Sequence, residues 1–272
     1  MSTYRIYSGT SHLEFDDRGA HIRSAVLKGK NILMQSPDGH QTHGGAAILI
    51  PFANRIRDAT YIIDGTRYLL PRNNGQHSIH GLTRERTWNV TSIDDRSELY
   101  LRLEDSGYPG ILDCRIVMKI STSSFSVSMN FVNISSKDQP LSPGMHPYFL
   151  FNGSWKITEP SNMQMLEYRD SYFPTGRLLE FDRKLLSSES GRKFDNCFLM
   201  GNRVGIDLGD HRIRIDTENM PYFVVYNGEY SLNKSVAVEP MVGAPDAFNN
   251  GVGLKILKPG ESFSCRASFH EI

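Results

Sequence analysis

Cys114-Arg115-Ile116-Val117-Met118-Lys119-Ile120, the polar link Ser121-Thr122-Ser123-Ser124, and Phe125-Ser126-Val127-Ser128-Met129-Asn130-Phe131 form the stretch that decides the fold. Cys114, Ile116, Met118 and Ile120 fall at every second position, and Phe125, Val127, Met129 and Phe131 resume that period after the link. Side chains alternate across an extended strand, so each half buries one face, and so short a link makes the two strands antiparallel neighbours.

The same grammar extends in both directions. Tyr61-Ile62-Ile63 and Thr66 to Leu70 flank Asp64-Gly65, a two-residue hairpin signal. Ile206-Asp207-Leu208 and Arg212 to Ile215 repeat it around Gly209-Asp210. Further strands are predicted at Leu99–Leu103, Tyr222–Tyr226, Val236–Glu239 and Ser262–Phe269. Helical spacing is scarcely sustained over the 11 or so residues a helix needs. Many short strands with close turns predict an all-β fold, a large antiparallel sandwich or barrel with few short helices. No linker, charge run or fixed-period repeat divides residues 1–272, which read as a single domain.

Composition narrows the partners. The 272 residues carry 30 Lys+Arg against 30 Asp+Glu, with 39% hydrophobic residues. A phosphate-neutralising nucleic-acid binder carries a basic excess, which is missing here. No run approaches the roughly 18 apolar residues that span a bilayer. Met1 to Asp17 lack the basic start and apolar run of a signal peptide, so a cytoplasmic location is expected. Cys114, Cys197 and Cys265, odd in number and far apart, read as buried core thiols.

Several segments break the alternation and gather polar chemistry. An apolar run from Ala46 to Ile50 ends in Pro51-Phe52-Ala53-Asn54-Arg55, presenting a guanidinium suited to vicinal hydroxyls or an anion, or else to a structural ion pair. Asn73 to Gly81 contains His77 and His80. A metal reading of that pair is unfavourable, because residues three apart on an extended chain point to opposite faces. His146 stands within Ser142-Pro143-Gly144-Met145-His146-Pro147-Tyr148-Phe149, stiffened by two prolines. An imidazole held this way suits general acid work, since its ordinary pKa of about 6.5 lies beside neutral pH; core packing beside Tyr148 and Phe149 is the alternative. Val236-Ala237-Val238-Glu239-Pro240 ends an apolar strand in a carboxylate, where partial burial would favour base catalysis. Asp246, in the turn-rich loop beyond, reads as a turn-capping residue.

Taken in order, Asn54-Arg55-Ile56, Tyr61 through Gly65 with Tyr68, Ile79-His80-Gly81-Leu82, His146-Pro147-Tyr148-Phe149, Lys193-Phe194-Asp195-Asn196-Cys197-Phe198, Glu239-Pro240 with Pro245 to Asn249, and Leu257 to Glu261 resemble the aldose 1-epimerase (mutarotase) family. The resemblance implies a galactose mutarotase-like β-sandwich acting on a small-molecule sugar without metal or organic cofactor. It casts Glu239 as the base at the C1 hydroxyl and His146 as the acid at the ring oxygen. Arg55, His80 and Asp195 become substrate-binding residues.

Anomer interconversion by ring opening and reclosure needs one proton removed and one delivered at neighbouring atoms, which a carboxylate and an imidazole can supply. Pro-Met-Val-Gly after Glu239, and Asn196-Cys197, depart from galactose-type members. They leave open a hexose 6-phosphate or other anionic sugar as substrate, beside a neutral aldohexose. A non-catalytic carbohydrate-binding sandwich and a two-carboxylate glycosidase using Glu239 and Asp195 are the remaining alternatives. Oligomeric state is not readable. Residues 51–90 hold Arg55, Arg57, Arg67, Arg72, Arg84 and Arg86 against Asp58, Asp64 and Glu85, a local basic excess in the region expected to line the sugar cleft.

Overall fold

The computed structural model describes residues 1–170 and 172–272. Two large antiparallel sheets dominate it. The 11-stranded sheet runs Thr3–Ser8, Ser11–Asp16, Ile22–Leu27, Ala46–Leu49, Gly144–Leu150, Ser235–Met241, Tyr222–Tyr226, Asp195–Leu199, Gln164–Tyr168, Pro174–Glu180, with the short Lys30–Asn31 paired beside Ile22–Leu27. The 8-stranded sheet runs Asn89–Ile93, Arg96–Glu104, Ile111–Ile120, Ser124–Asn133, Ser262–Glu271, Arg212–Glu218, Arg203–Asp207, Lys156–Glu159.

The deciding stretch is a hairpin of two ten-residue strands, Ile111–Ile120 and Ser124–Asn133, in the register Cys114 to Phe131 and Ile116 to Met129. Its alternate residues are buried as the period required. The Asp64-Gly65 hairpin forms with positive φ at both turn residues, 48° and 72°, the backbone that a two-residue loop between twisted strands demands. Among the described residues helix is confined to four-residue Ala247–Asn250 and short 3-10 turns such as Arg57–Ala59.

The core lies between the sheets. Ile6, Leu13 and Phe15 of one share a cluster with Leu99, Ile116 and Phe125 of the other. Phe149 meets Phe269 across the gap at 5.9 Å between ring centroids, and Phe269 stacks on Phe125 at 4.6 Å. All three cysteines are buried and free. No helix among the described residues is long and apolar enough to cross a membrane.

Candidate active site

The outer face of the 11-stranded sheet carries the polar groups. In the central strand Gly144–Leu150, Met145 and Phe149 enter the main core, so alternation turns His146 and Tyr148 the other way. In the neighbouring strand Val236 and Val238 enter that core, which turns out Ala237 and Glu239. Gly144 pairs with Met241 and Tyr148 with Ala237, placing His146 level with Glu239. Register then extends two rows across the sheet. Ala47, His146, Glu239, Val224 and Cys197 make one row; Tyr148, Ala237, Tyr226 and Asp195 make the next.

Between those two register pairs stand Pro147 and Pro240, which have no N–H to give the ladder. The prolines that mark both motifs in the sequence thus open the backbone pairing beside the two residues they flank.

Glu239 and His146 touch, Oε1 to Nε2 at 3.4 Å. Both are buried, and neither Glu239 Oε2 nor His146 Nδ1 has a hydrogen-bond partner. Burial pushes the Glu239 carboxyl well above the usual carboxylate range; the nearby Asp195 charge adds to this and Arg55 opposes it. Burial lowers His146 to about 3. Both directions have the same cause, since a low-dielectric site disfavours whichever form is charged. His146 is further fixed by stacking on Tyr148 at 4.8 Å, whose hydroxyl donates to the Thr42 carbonyl at 2.9 Å.

Arg55 and His80 arrive on the two short paired segments Arg55–Ile56 and Ser78–Ile79. His80 adopts φ 63° and Gly81 φ 76°, in a turn where the His80 N–H donates to the Asn54 carbonyl and the Leu82 N–H to the Ile50 carbonyl. A Cβ on Gly81 would come within 2.1 Å of the Ile50 oxygen, so only glycine fits. Left-handed backbone at a histidine is uncommon and costs conformational energy, which is often stored at functional sites. The turn carries the His80 ring to 5.3 Å from that of His146, edge to face.

The Arg55 guanidinium lies over the Tyr172 ring at 4.1 Å, donates to Asn74 Oδ1 at 3.1 Å, and approaches Asp195 at 3.6 Å. Burial raises the Asp195 carboxyl despite Arg55.

All five predicted residues, Arg55, His80, His146, Asp195 and Glu239, therefore line one cleft of about 470 Å³. His77, the other half of the weighed metal pair, is held apart: its Nδ1 accepts from the Asp58 N–H, and its ring packs on Phe173. No group of three or more His, Cys, Asp or Glu suited to a metal occurs among the described residues. The Asp246 carboxylate accepts from the Arg57 N–H at 2.9 Å and from the Asn249 side chain at 2.7 Å, a structural tie. Of the six arginines between 51 and 90, only Arg55 and Arg84 line the cleft. Arg57 and Arg86 pair outside it with Asp170 and Asp105, and Arg67 and Arg72 are exposed.

Several cleft residues escaped the sequence reading. Tyr148 could have been found from alternation, two residues from His146, whereas Tyr226 joins the next row only through a strand pairing that the sequence does not announce. His40, His43 and Tyr230 come from loops whose path no period predicts, yet their rings stack in a column at 4.3 and 3.7 Å along one wall.

The sequence profile described as aldose 1-epimerase matches residues 2–270. The chain is 26% identical to the uncharacterized protein YihR of Escherichia coli, over 95% of this chain and 90% of that protein. It is 26% identical to the aldose 1-epimerase of Haemophilus influenzae, over 50% of this chain and 41% of that one. In three dimensions it superimposes on a galactose mutarotase-like protein from Clostridium acetobutylicum with a TM-score of 0.85. That match has 20% identity and covers 98% and 94% of the two chains.

Proposed function

Because the chain belongs to the aldose 1-epimerase family, we propose that it interconverts the α and β anomers of an aldohexose by acid–base catalysed ring opening and reclosure. Glu239 removes the proton from the C1 hydroxyl and His146 delivers one to the ring oxygen. The C1–O5 bond opens to the aldehyde, the C1–C2 bond turns, and reclosure on the other face yields the other anomer. Arg55, Asp195 and His80 hold the hydroxyls, with His80 also placed to assist at the ring oxygen.

The observation that carries this reading is the contact between Glu239 and His146 at 3.4 Å inside the cleft, each with a second polar atom free of any partner. The two oxygens that exchange protons are bonded to the same carbon, so their base and acid must be neighbours. A carboxylate and imidazole on adjacent strands, level in register, meet that demand.

Burial raises Glu239 and lowers His146, so each group favours its neutral form, and because the two touch, the titration belongs to the pair. A C1 hydroxyl donating to the carboxylate stabilises its charged form and moves the carboxyl proton to the imidazole. Positioned acid–base groups contribute about 10²–10⁴-fold each.

Polarimetry of freshly dissolved α-glucose and α-galactose tests the proposal. Decay toward the equilibrium rotation should be accelerated by the wild type and lost in both Glu239→Gln and His146→Asn. Full activity in either variant removes the assigned role. A hexose bearing an anionic group is the second reading, and the placement of Arg84 in the cleft favours it.

A further inference from the structure

The sugar cleft does not end where the catalytic pair needs it to. His40 and Arg84 form a wall common to the cleft and to a second pocket of about 290 Å³, lined also by Arg18, His21 and Gln41 and by the carboxylates of Asp16 and Glu85. Charge at this junction is unbalanced. Arg55 approaches Asp195, Arg18 pairs with Glu85, Arg23 with Asp16, Arg57 with Asp170 and Arg86 with Asp105. Among the described residues no carboxylate lies within ion-pair distance of Arg84, although it is partly buried. Glu85, the nearest in sequence, pairs with Arg18 and acts on Arg84 only through its charge.

Leaving a guanidinium partly desolvated and unpaired is costly. The chain nonetheless holds it in place: Gln41 Nε2 donates to the Arg84 carbonyl at 3.0 Å and to the Arg18 carbonyl at 3.1 Å. Arg84 Nε and Gln41 Oε1 are both buried without a partner. The other charged and titratable groups facing the junction are already engaged or neutral. His43 is bound to Asp38 at 2.7 Å, His40 accepts from Thr42, and burial keeps His21 and His40 below their ordinary range.

We propose that this junction is an anion subsite, in which the Arg84 fork holds a carboxylate or phosphoryl group carried by the sugar while Glu239 and His146 act at C1. An unsubstituted hexose offers Arg84 only neutral hydroxyls. An anionic substituent offers the planar, charge-assisted pairing that a guanidinium is built for. The natural substrate is then a hexose bearing a negative charge away from the anomeric carbon. This inference rests on the epimerase reading, and its test separates the two.

Inorganic phosphate probes the subsite without turnover. Thermal unfolding is followed with and without phosphate, using chloride at equal ionic strength as the control. At ten times its Kd, phosphate should raise the wild-type midpoint by about 3 °C and leave Arg84→Gln unmoved. No shift in the wild type, or an equal shift in Arg84→Gln, overturns the subsite.

Anomeric exchange by saturation-transfer NMR then compares glucose with glucose 6-phosphate and glucuronate, which separates phosphoryl from carboxylate recognition. At least one charged sugar should be preferred in kcat/KM, and Arg84→Gln should collapse that preference by about 10- to 100-fold. An unchanged preference overturns the proposal. Absence of exchange for all three sugars overturns the epimerase reading instead, and leaves the phosphate measurement to decide the subsite.

Discussion

Glu239→Gln should abolish turnover and make the protein more stable at alkaline pH. The carboxyl is buried, one oxygen lies 3.4 Å from His146, and the other has no partner. Its folded pKa is raised well above the ordinary value, chiefly by burial. In the unfolded chain the same carboxyl ionises near the reference value of about 4.3. Above that reference value the unfolded chain gives up its proton before the folded state does, so stability falls as pH rises toward the folded pKa. The slope is about 1.4 kcal/mol per pH unit while the folded carboxyl remains protonated.

His146 gives the opposite sign in another window. Lowered to about 3 by burial, it costs stability as pH falls from about 6.5 toward its folded value. The two contributions oppose each other between about 4.3 and 6.5 and separate above pH 7. For a chain of this length, about 1.4 kcal/mol corresponds to about 3 °C in midpoint. The amide introduced by Glu239→Gln cannot ionise, so that part of the wild-type decline is missing from the variant. The assay is thermal unfolding by circular dichroism at pH 7, 8 and 9 for both proteins, with the anomerisation rate measured beside it. The variant's advantage should widen with rising pH for as long as the wild-type carboxyl keeps its proton. A variant midpoint that falls in parallel with the wild type, or lies below it at pH 9, refutes the claim that an unsatisfied buried carboxyl is held there for catalysis.

Other perturbations test separate parts of the site. The pH profile of kcat/KM should be flat through neutrality and fall on the alkaline side, where the Glu239–His146 pair loses its shared proton; a profile that rises steadily with pH contradicts a one-proton pair. Arg55→Ala should raise KM at least 10-fold with a smaller change in kcat, read by progress curves, because it removes a hydroxyl-binding fork and the contact on Tyr172. Tyr148→Phe keeps the ring stacked on His146 but removes the bond to the Thr42 carbonyl; it should cost about 0.5–1.5 kcal/mol by denaturant unfolding and leave anomerisation measurable. Gly81→Ala places a Cβ 2.1 Å from the Ile50 oxygen at positive φ, so both midpoint and activity should drop; a neutral outcome would show that the His80 turn is not held rigidly.

Legibility followed period and covalent chemistry. Strands with a clear two-residue alternation, Cys114 to Phe131 above all, announced their faces, because one side of each meets the inter-sheet core. The same rule explains the motif residues: His146 and Glu239 lie between core-facing neighbours on adjacent strands, so the polar residue of each run had to emerge on the opposite face. Which strands would be adjacent could not be read. Gly144–Leu150 and Ser235–Met241 are far apart in the chain, and their pairing is set by long-range packing rather than local preference. Arg84 and Gln41 belong to irregular loops joined by one side-chain bond to a backbone carbonyl, an interaction that leaves no periodic trace. The basic excess between 51 and 90 was visible as a count, but the structure disperses it into surface ion pairs and leaves two arginines at the cleft.

On the proposed roles, the depressed imidazole and elevated carboxyl fit a reaction that runs in both directions through one intermediate. Ring opening begins with an ionised Glu239 and a protonated His146, and ends with the proton on Glu239 and none on His146. Ring closure needs that second state, since Glu239 must now return a proton to the C1 oxygen while His146 accepts one from the O5 hydroxyl. Burial favours the neutral arrangement, which is the state complementary to the open aldehyde. The cyclic sugar must draw the proton back across the 3.4 Å contact, using its C1 hydroxyl as donor to the carboxylate. Because either face of the aldehyde closes from the same protonation state, the protein need not distinguish anomers. It has only to keep one proton on two adjacent groups and exclude water while the C1–C2 bond turns.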